Sequence, residues 1–204
     1  MGLSGLSRFY PVVPDVAGVN AMLTAGASLV QLRLKGAEPG TLRAETKRAL
    51  TLCRAARAQL VVNDHWQVAI DLAADFVHLG QEDLVAADLA ALRRRGISIG
   101  ISTHDEPELE TALATGPAYV ALGPIWPTTL KVMPWAPQGV ARLAQWKRRI
   151  GALPLVAIGG ITLDRVAECL LGGADVVAVV NDVVNAPDPA ARARAWLDAT
   201  RSYS

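Results

Sequence analysis

Eight times along the chain, a short apolar run without polar alternation is followed by polar or glycine-containing punctuation and then, as a rule, by an amphipathic stretch. The runs are Phe9–Val13, Leu29–Leu32, Leu60–Val62, Phe76–Leu79, Ile97–Ile101, Tyr119–Leu122, Leu155–Ile158 and Val176–Val180. Strands covered on both faces read this way, because neither face needs polar side chains. The stretches between them predict helices at Val16–Ala25, Thr41–Ala56, Trp66–Leu72, Ala87–Arg95, Glu106–Ala114, Val140–Arg149, Leu163–Leu171 and Pro189–Arg201. Asp15, Thr41, Asp64, Thr162 and Asp188 stand where N-cap oxygens are wanted, and Gly26, Gly96, Gly116 and Gly172 stand near helix ends. Strict β/α alternation predicts a parallel sheet. Eight units in 204 residues predict its closure as an eight-stranded parallel β/α (TIM) barrel, with residues 1–204 forming a single domain. An open doubly wound sheet is the competing arrangement. It usually carries Gly-x-Gly-x-x-Gly after its first strand, where this chain has Val13-Pro14-Asp15-Val16.

Composition narrows the class of partner. With 51% hydrophobic and 19% charged residues and a net charge of +1, the chain is neither disordered nor a polyanion binder by bulk charge. Small molecules, not nucleic acid or a membrane, are the expected partners, and a homo-oligomer is compatible with the sequence. Cys53 and Cys169 lie far apart in apolar stretches without Cys-x-x-Cys spacing, as buried reduced thiols do. Arg8, Pro11, Pro14 and Asp15 interrupt any N-terminal apolar leader, and glycines and prolines break the charge-free run from Thr111 to Leu130. A soluble, cytoplasmic protein is expected.

Catalytic groups of β/α barrels sit after the C-terminal strand ends, where eight loops share one mouth, and here the polar motifs fall at those positions. Arg33 and Lys35, two residues apart, project to one side and suit phosphate or diphosphate oxygens, unless they form a solvated surface pair. Asp64 and Asp83 follow neighbouring strands. Two carboxylates about 4 Å apart at a partly buried site repel by about 4 kcal/mol. Mg²⁺, held by one or two carboxylates plus phosphate oxygens, resolves that conflict; the plainer roles are an N-cap for Asp64 and a loop acid for Asp83. Gly159-Gly160 and Val180-Asn181 occupy the place where barrels bind a phosphate monoester through backbone N–H groups, or else serve as turns. Lys131, in the long loop from Thr128 to Gln138, could cover a phosphate from above. His65, His78 and His104 are too scattered for zinc and read as structural or hydrogen-bonding groups. Trp126 could stack on a ring or pack beneath its loop. A diphosphate at strands two to four and a monophosphate at strands seven and eight suggest a joining reaction with diphosphate as leaving group.

Six motifs, in order, resemble those of the thiamine phosphate synthase family. They are Gln31-Leu32-Arg33-Leu34-Lys35, Val62-Asn63-Asp64, Val77 to Asp83, Ser102-Thr103-His104, Gly123-Pro124-Ile125-Trp126-Pro127-Thr128 and Ala157 to Ile161. The resemblance spans about Arg8 to Val184. It implies a transferase that forms a C–N bond between a hydroxymethylpyrimidine diphosphate and a thiazole phosphate, free or carboxylated, giving thiamine phosphate and diphosphate. By the same resemblance Gln31, Arg33, Lys35 and Asn63 hold the pyrimidine diphosphate, and Asp64 and Asp83 coordinate Mg²⁺. Ser102 and Lys131 contact the departing diphosphate or its pyrimidine, Thr128 the thiazole, and Gly160, Val180 and Asn181 the thiazole phosphate. Arg33, Lys35, Ser102 and Lys131 are thereby the catalytic candidates, acting by electrostatic stabilisation without a nucleophile.

Three positions depart from the family pattern: Leu34 replaces a frequent acid, Leu130 a usual threonine and Asn181 a usual serine. Asn181 keeps a donor and an acceptor; a hydroxyl contact missing at Leu130 is worth about 1 kcal/mol. Two rival functions remain at this stage. A thiazole tautomerase of the same superfamily would need proton transfer and usually carries histidine after the glycine that is Gly123 here, where this chain has Pro124. A catalytically silent phosphate-binding barrel is the other.

Overall fold

A computed structural model describes residues 7–128 and 135–203. Its eight strands are β1 (Phe9–Val13), β2 (Leu29–Leu32), β3 (Gln59–Asn63), β4 (Phe76–Leu79), β5 (Ser98–Thr103), β6 (Tyr119–Leu122), β7 (Leu155–Ile158) and β8 (Val176–Val179). Each pairs in parallel with the next, and β8 returns to β1, so the barrel is closed. Outside lie α1 (Val16–Ala25), α2 (Pro39–Ala55), α3 (Trp66–Asp71), α4 (Gln81–Ala86), α5 (Leu89–Arg94), α6 (Glu106–Ala114), α7 (Val140–Ile150), α8 (Val166–Leu171), α9 (Asn181–Val184) and α10 (Pro189–Arg201).

Both strand faces are covered, which is why the runs do not alternate in sequence. Inside the barrel, Tyr10, Val12, Leu29, Val61, Phe76, Tyr119, Ala121, Val156, Val176 and Ala178 form one cluster. The intervening residues, such as Phe9, Val30, Val62, Val77 and Ile101, pack outward against the helices. With a side-chain period of two, Gln31 follows Leu29 inward, Asn63 follows Val61, His78 follows Phe76 and Ser102 follows Gly100. The interior therefore changes from apolar to polar at the C-terminal end of four adjacent strands.

Helix boundaries show which capping expectations hold. Asp15 and Asp188 accept backbone N–H bonds at the starts of α1 and α10, as do Asp88 and Asp105 at α5 and α6. Thr41 does not cap: α2 begins earlier, with Pro39 in its first turn. Asp64 is not a cap either, because its carboxylate is engaged by Lys35, and Thr162 precedes a short 3₁₀ turn without a side-chain cap bond. At the end of α8 it is Gly173 (φ 109°), not Gly172, that takes the left-handed turn. Helices α4 and α9 are not among those predicted: each starts on the polar residues that directly follow its strand, Gln81-Glu82-Asp83 and Asn181-Asp182, which read as loop. Asp83 is therefore not a loop acid but lies in the first turn of α4.

Candidate active site

At the C-terminal end of the barrel a cavity of about 680 Å³ is lined by Gln31, Arg33, Lys35, Asn63, Asp64, Asp83, Ser102, Thr128, Gly160, Val180 and Asn181. The barrel thus brings together the residues singled out in sequence, apart from Lys131, which with Leu130 lies outside the described residues.

On the β2–β4 side, Asp64 has a left-handed backbone (φ 62°), a conformation that aspartate tolerates better than most residues. Its N–H donates to the His78 carbonyl (2.8 Å), and its carboxylate accepts from Lys35 and is in hydrogen-bond contact with Asp83. Burial alone would raise the Asp64 carboxyl. The Lys35 hydrogen bond and charge, with the contact from Asp83, outweigh it and hold Asp64 below the usual carboxylate range. Burial, and then the negative charge of Asp64, push Asp83 up. Two abutting carboxylates with opposed shifts are a pair that a hard divalent cation relieves, and an all-oxygen donor set with few protein ligands fits Mg²⁺. No group of three or more acidic, cysteine or histidine residues poised for a metal occurs among the described residues, so remaining ligands would come from substrate and water.

Opposite, Gly159 (φ 98°) and Gly160 (φ 65°) serve two purposes. A Cβ on Gly159 would lie 2.6 Å from Pro124 Cα, and one on Gly160 would lie 2.4 Å from the Pro127 carbonyl oxygen. The β6 loop packs against this turn, with Ile125 and Trp126 donating to the Ile158 and Gly159 carbonyls. Arg165, which sequence reading passed over, reaches the same end of the cavity: it donates to the Gly160 carbonyl (2.7 Å) and lies 5.1 Å from the centre of the Trp126 ring. No sequence motif marks it: it is a single arginine after Thr162-Leu163-Asp164, beside a helix start. Trp126 thus packs beneath its loop, whereas Trp135 stacks on His104 (4.0 Å) and lines the cavity.

The histidines are hydrogen-bonding groups. His65 Nε2 meets the Leu34 carbonyl (3.1 Å), and His104 Nδ1 meets Glu108 (2.7 Å). His78 lies between Tyr119 Oη and Ser102 Oγ, both at 2.8 Å. Burial, supplemented by the Arg33 charge and opposed by Asp64, pushes His78 down to about 4. Asp182 lines the cavity, but its carboxylate is occupied by a two-point bond from Arg192 and another from Trp196 that tie α9 to α10. Cys53 and Cys169 are buried free thiols raised by burial to about 11 and about 12.

A closed β/α barrel with cations and paired acids at one side of its mouth and a glycine turn at the other defines a barrel enzyme built for phosphorylated substrates. Similarity to known proteins is more specific. The family described as thiamine monophosphate synthase matches residues 10–183, and the chain belongs to that family. The thiamine-phosphate synthase of Rhizobium etli is 57% identical over 198 residues, covering 97% of each chain. That of Neisseria meningitidis serogroup B is 44% identical, covering 93% of this chain and 92% of its own. Among solved structures, thiamine phosphate pyrophosphorylase from Pyrococcus furiosus superposes with a TM-score of 0.83 at 28% identity, covering 96% of each chain. The chain is accordingly an enzyme, a transferase of the thiamine-phosphate synthase type.

Proposed function

We propose that the enzyme joins 4-amino-2-methyl-5-hydroxymethylpyrimidine diphosphate to 4-methyl-5-(2-phosphoethyl)thiazole, free or carboxylated, giving thiamine phosphate and diphosphate, with CO₂ from the carboxylated substrate. The observation that carries this reading is the Lys35–Asp64–Asp83 contact beside Arg33, across one cavity from Gly160. One side accepts a diphosphate and the other a monophosphate. Gln31, Asn63 and Ser102 hold the pyrimidine end, Thr128 the thiazole, and Gly160, Val180 and Asn181 its phosphate. Lys131 is proposed to contact the diphosphate.

The bond between the pyrimidine methylene and the diphosphate oxygen breaks with its electron pair leaving on diphosphate. The thiazole nitrogen then supplies the pair for the new C–N bond. Asp64 and Asp83 would hold Mg²⁺, which would neutralise charge on the leaving diphosphate. Arg33 and Lys35 receive the growing negative charge as fixed cations, and the pyrimidine amino group stabilises the methylene cation. No side-chain nucleophile takes part.

A length of 204 residues supports a single-domain enzyme, and a net charge of +1 supports small phosphorylated molecules rather than nucleic acid or a membrane as its partners; no helix among the described residues is long and apolar enough to cross a bilayer. A cytoplasmic location is proposed with this reading. Release of diphosphate tests the reading. It should require Mg²⁺ and both substrates together, and release at the full rate without the thiazole would refute a joining reaction.

A further inference from the structure

Five side chains from five strands form an unbroken run of hydrogen bonds across the barrel interior. Gln31 Nε2 donates to Tyr10 Oη (2.8 Å), and Tyr10 Oη and Tyr119 Oη lie 3.0 Å apart. Tyr119 Oη meets His78 Nδ1 at 2.8 Å, and His78 Nε2 meets Ser102 Oγ at 2.8 Å. Gln31, His78 and Ser102 line the cavity, whereas the two tyrosines lie beneath it, 1% and 0% exposed.

The sequence makes room for this run at Gly100. A Cβ there would fall 2.0 Å from Tyr119 Cζ and 2.5 Å from its Oη. Gly100 is not among the residues with a left-handed backbone, so it serves here for space and not for its torsion freedom.

Each buried hydroxyl has one proton, and an orphaned one is costly, so the run has a direction. Tyr10 accepts from Gln31, which sends the Tyr10 proton to Tyr119. Tyr119 then donates to His78 Nδ1. A neutral imidazole that accepts at Nδ1 carries its proton on Nε2 and donates it to Ser102 Oγ. The Ser102 proton is thereby turned toward the cavity, and Oε1 is the Gln31 amide atom left for it.

Resting on the pyrimidine assignment made above, we infer that Tyr10, Tyr119 and His78 are positioning residues whose hydrogen-bond direction makes Gln31 an acceptor and Ser102 a donor toward the substrate. That pair matches an aminopyrimidine, whose amino group donates and whose ring nitrogen accepts. It opposes the oxo analogue, which puts a carbonyl where the amino group was. The reversed run needs the Gln31 amide turned over and the His78 proton on Nδ1, and it would present the opposite pattern. The histidine tautomer therefore reports the polarity.

Two measurements decide the inference. In ¹⁵N-histidine NMR of the free protein, the His78 signal, assigned by its loss in His78→Asn, should show the Nε2–H tautomer and should become mixed in Tyr119→Phe. A proton on Nδ1 in the unsubstituted protein overturns the inference, and this arm needs no substrate. In turnover, Tyr119→Phe and, as a second variant, Tyr10→Phe should raise KM for the pyrimidine diphosphate about tenfold while leaving that for the thiazole phosphate within about twofold. Preference for the amino over the oxo pyrimidine diphosphate, read as inhibition constants, should fall about tenfold. An equal rise in both KM values, or an unchanged preference, overturns it. Absence of turnover in the unsubstituted enzyme would count against the proposed function, and the tautomer would still decide the direction of the run.

Discussion

Lys35 reaches across the ends of β2 and β3 to the carboxylate of Asp64, which touches Asp83. The cation proposed to hold diphosphate is thus already engaged by a proposed metal ligand, and all three groups meet where the metal and diphosphate would sit. Asp64→Asn keeps the shape but removes the charge that holds Lys35 and the metal. Turnover should fall on the order of 10²–10³-fold, while the circular dichroism spectrum is retained. Initial rates across a Mg²⁺ titration check this, and near-normal rates would remove Asp64 from the metal role.

Metal affinity should depend on pH through Asp83. Its pKa is raised by burial and by Asp64, and only the ionised carboxylate ligates, so protons compete with Mg²⁺ at a higher pH than for an ordinary aspartate. Affinity should weaken as pH falls, with proton release on binding. Calorimetry in two buffers of different ionisation enthalpy measures that release, which Asp83→Asn should abolish.

His78 links pH to stability. Its pKa is depressed from 6.5 to about 4 on folding, so the unfolded chain takes up the proton first. The contribution is fully present above pH 6.5 and is lost as pH falls toward 4, amounting to about 3 kcal/mol below that point. Urea midpoints of the metal-free protein should fall across that window. In His78→Asn the fall should be smaller by about that amount, and an unchanged profile would contradict the assignment.

Gly160→Ala combines a left-handed backbone with a Cβ 2.4 Å from the Pro127 carbonyl oxygen. It should cost about 1–3 kcal/mol of stability. By displacing the loop that carries Thr128, it should also raise KM for the thiazole phosphate at least about tenfold, with a smaller effect on the pyrimidine diphosphate. Steady-state kinetics with each substrate varied in turn measures the asymmetry.

Much of this architecture could be read from the chain because doubly covered strands leave continuous apolar runs, and polar residues such as Gln31, Asn63 and Ser102 interrupt the pattern just where the interior opens. The short helices α4 and α9 escaped because they begin on the polar residues just past a strand end, Gln81-Glu82-Asp83 and Asn181-Asp182, which look like loop. Thr41 and Asp64 looked like caps because cap residue types also suit other roles; at Asp64, Lys35 from the loop after β2 took the carboxylate. The run from Gln31 to Ser102 was invisible because Tyr10 and Tyr119 read as core aromatics, and only barrel closure brings residues 109 positions apart into hydrogen-bond contact. Arg165 was missed because a single arginine beside a helix start has no motif.

Mass spectrometry of the enzyme with both substrates and Mg²⁺ tests the central claim most directly. Thiamine phosphate should form in one-to-one ratio with diphosphate. Binding of both substrates with no joined product would contradict a joining enzyme and leave a phosphate-binding barrel.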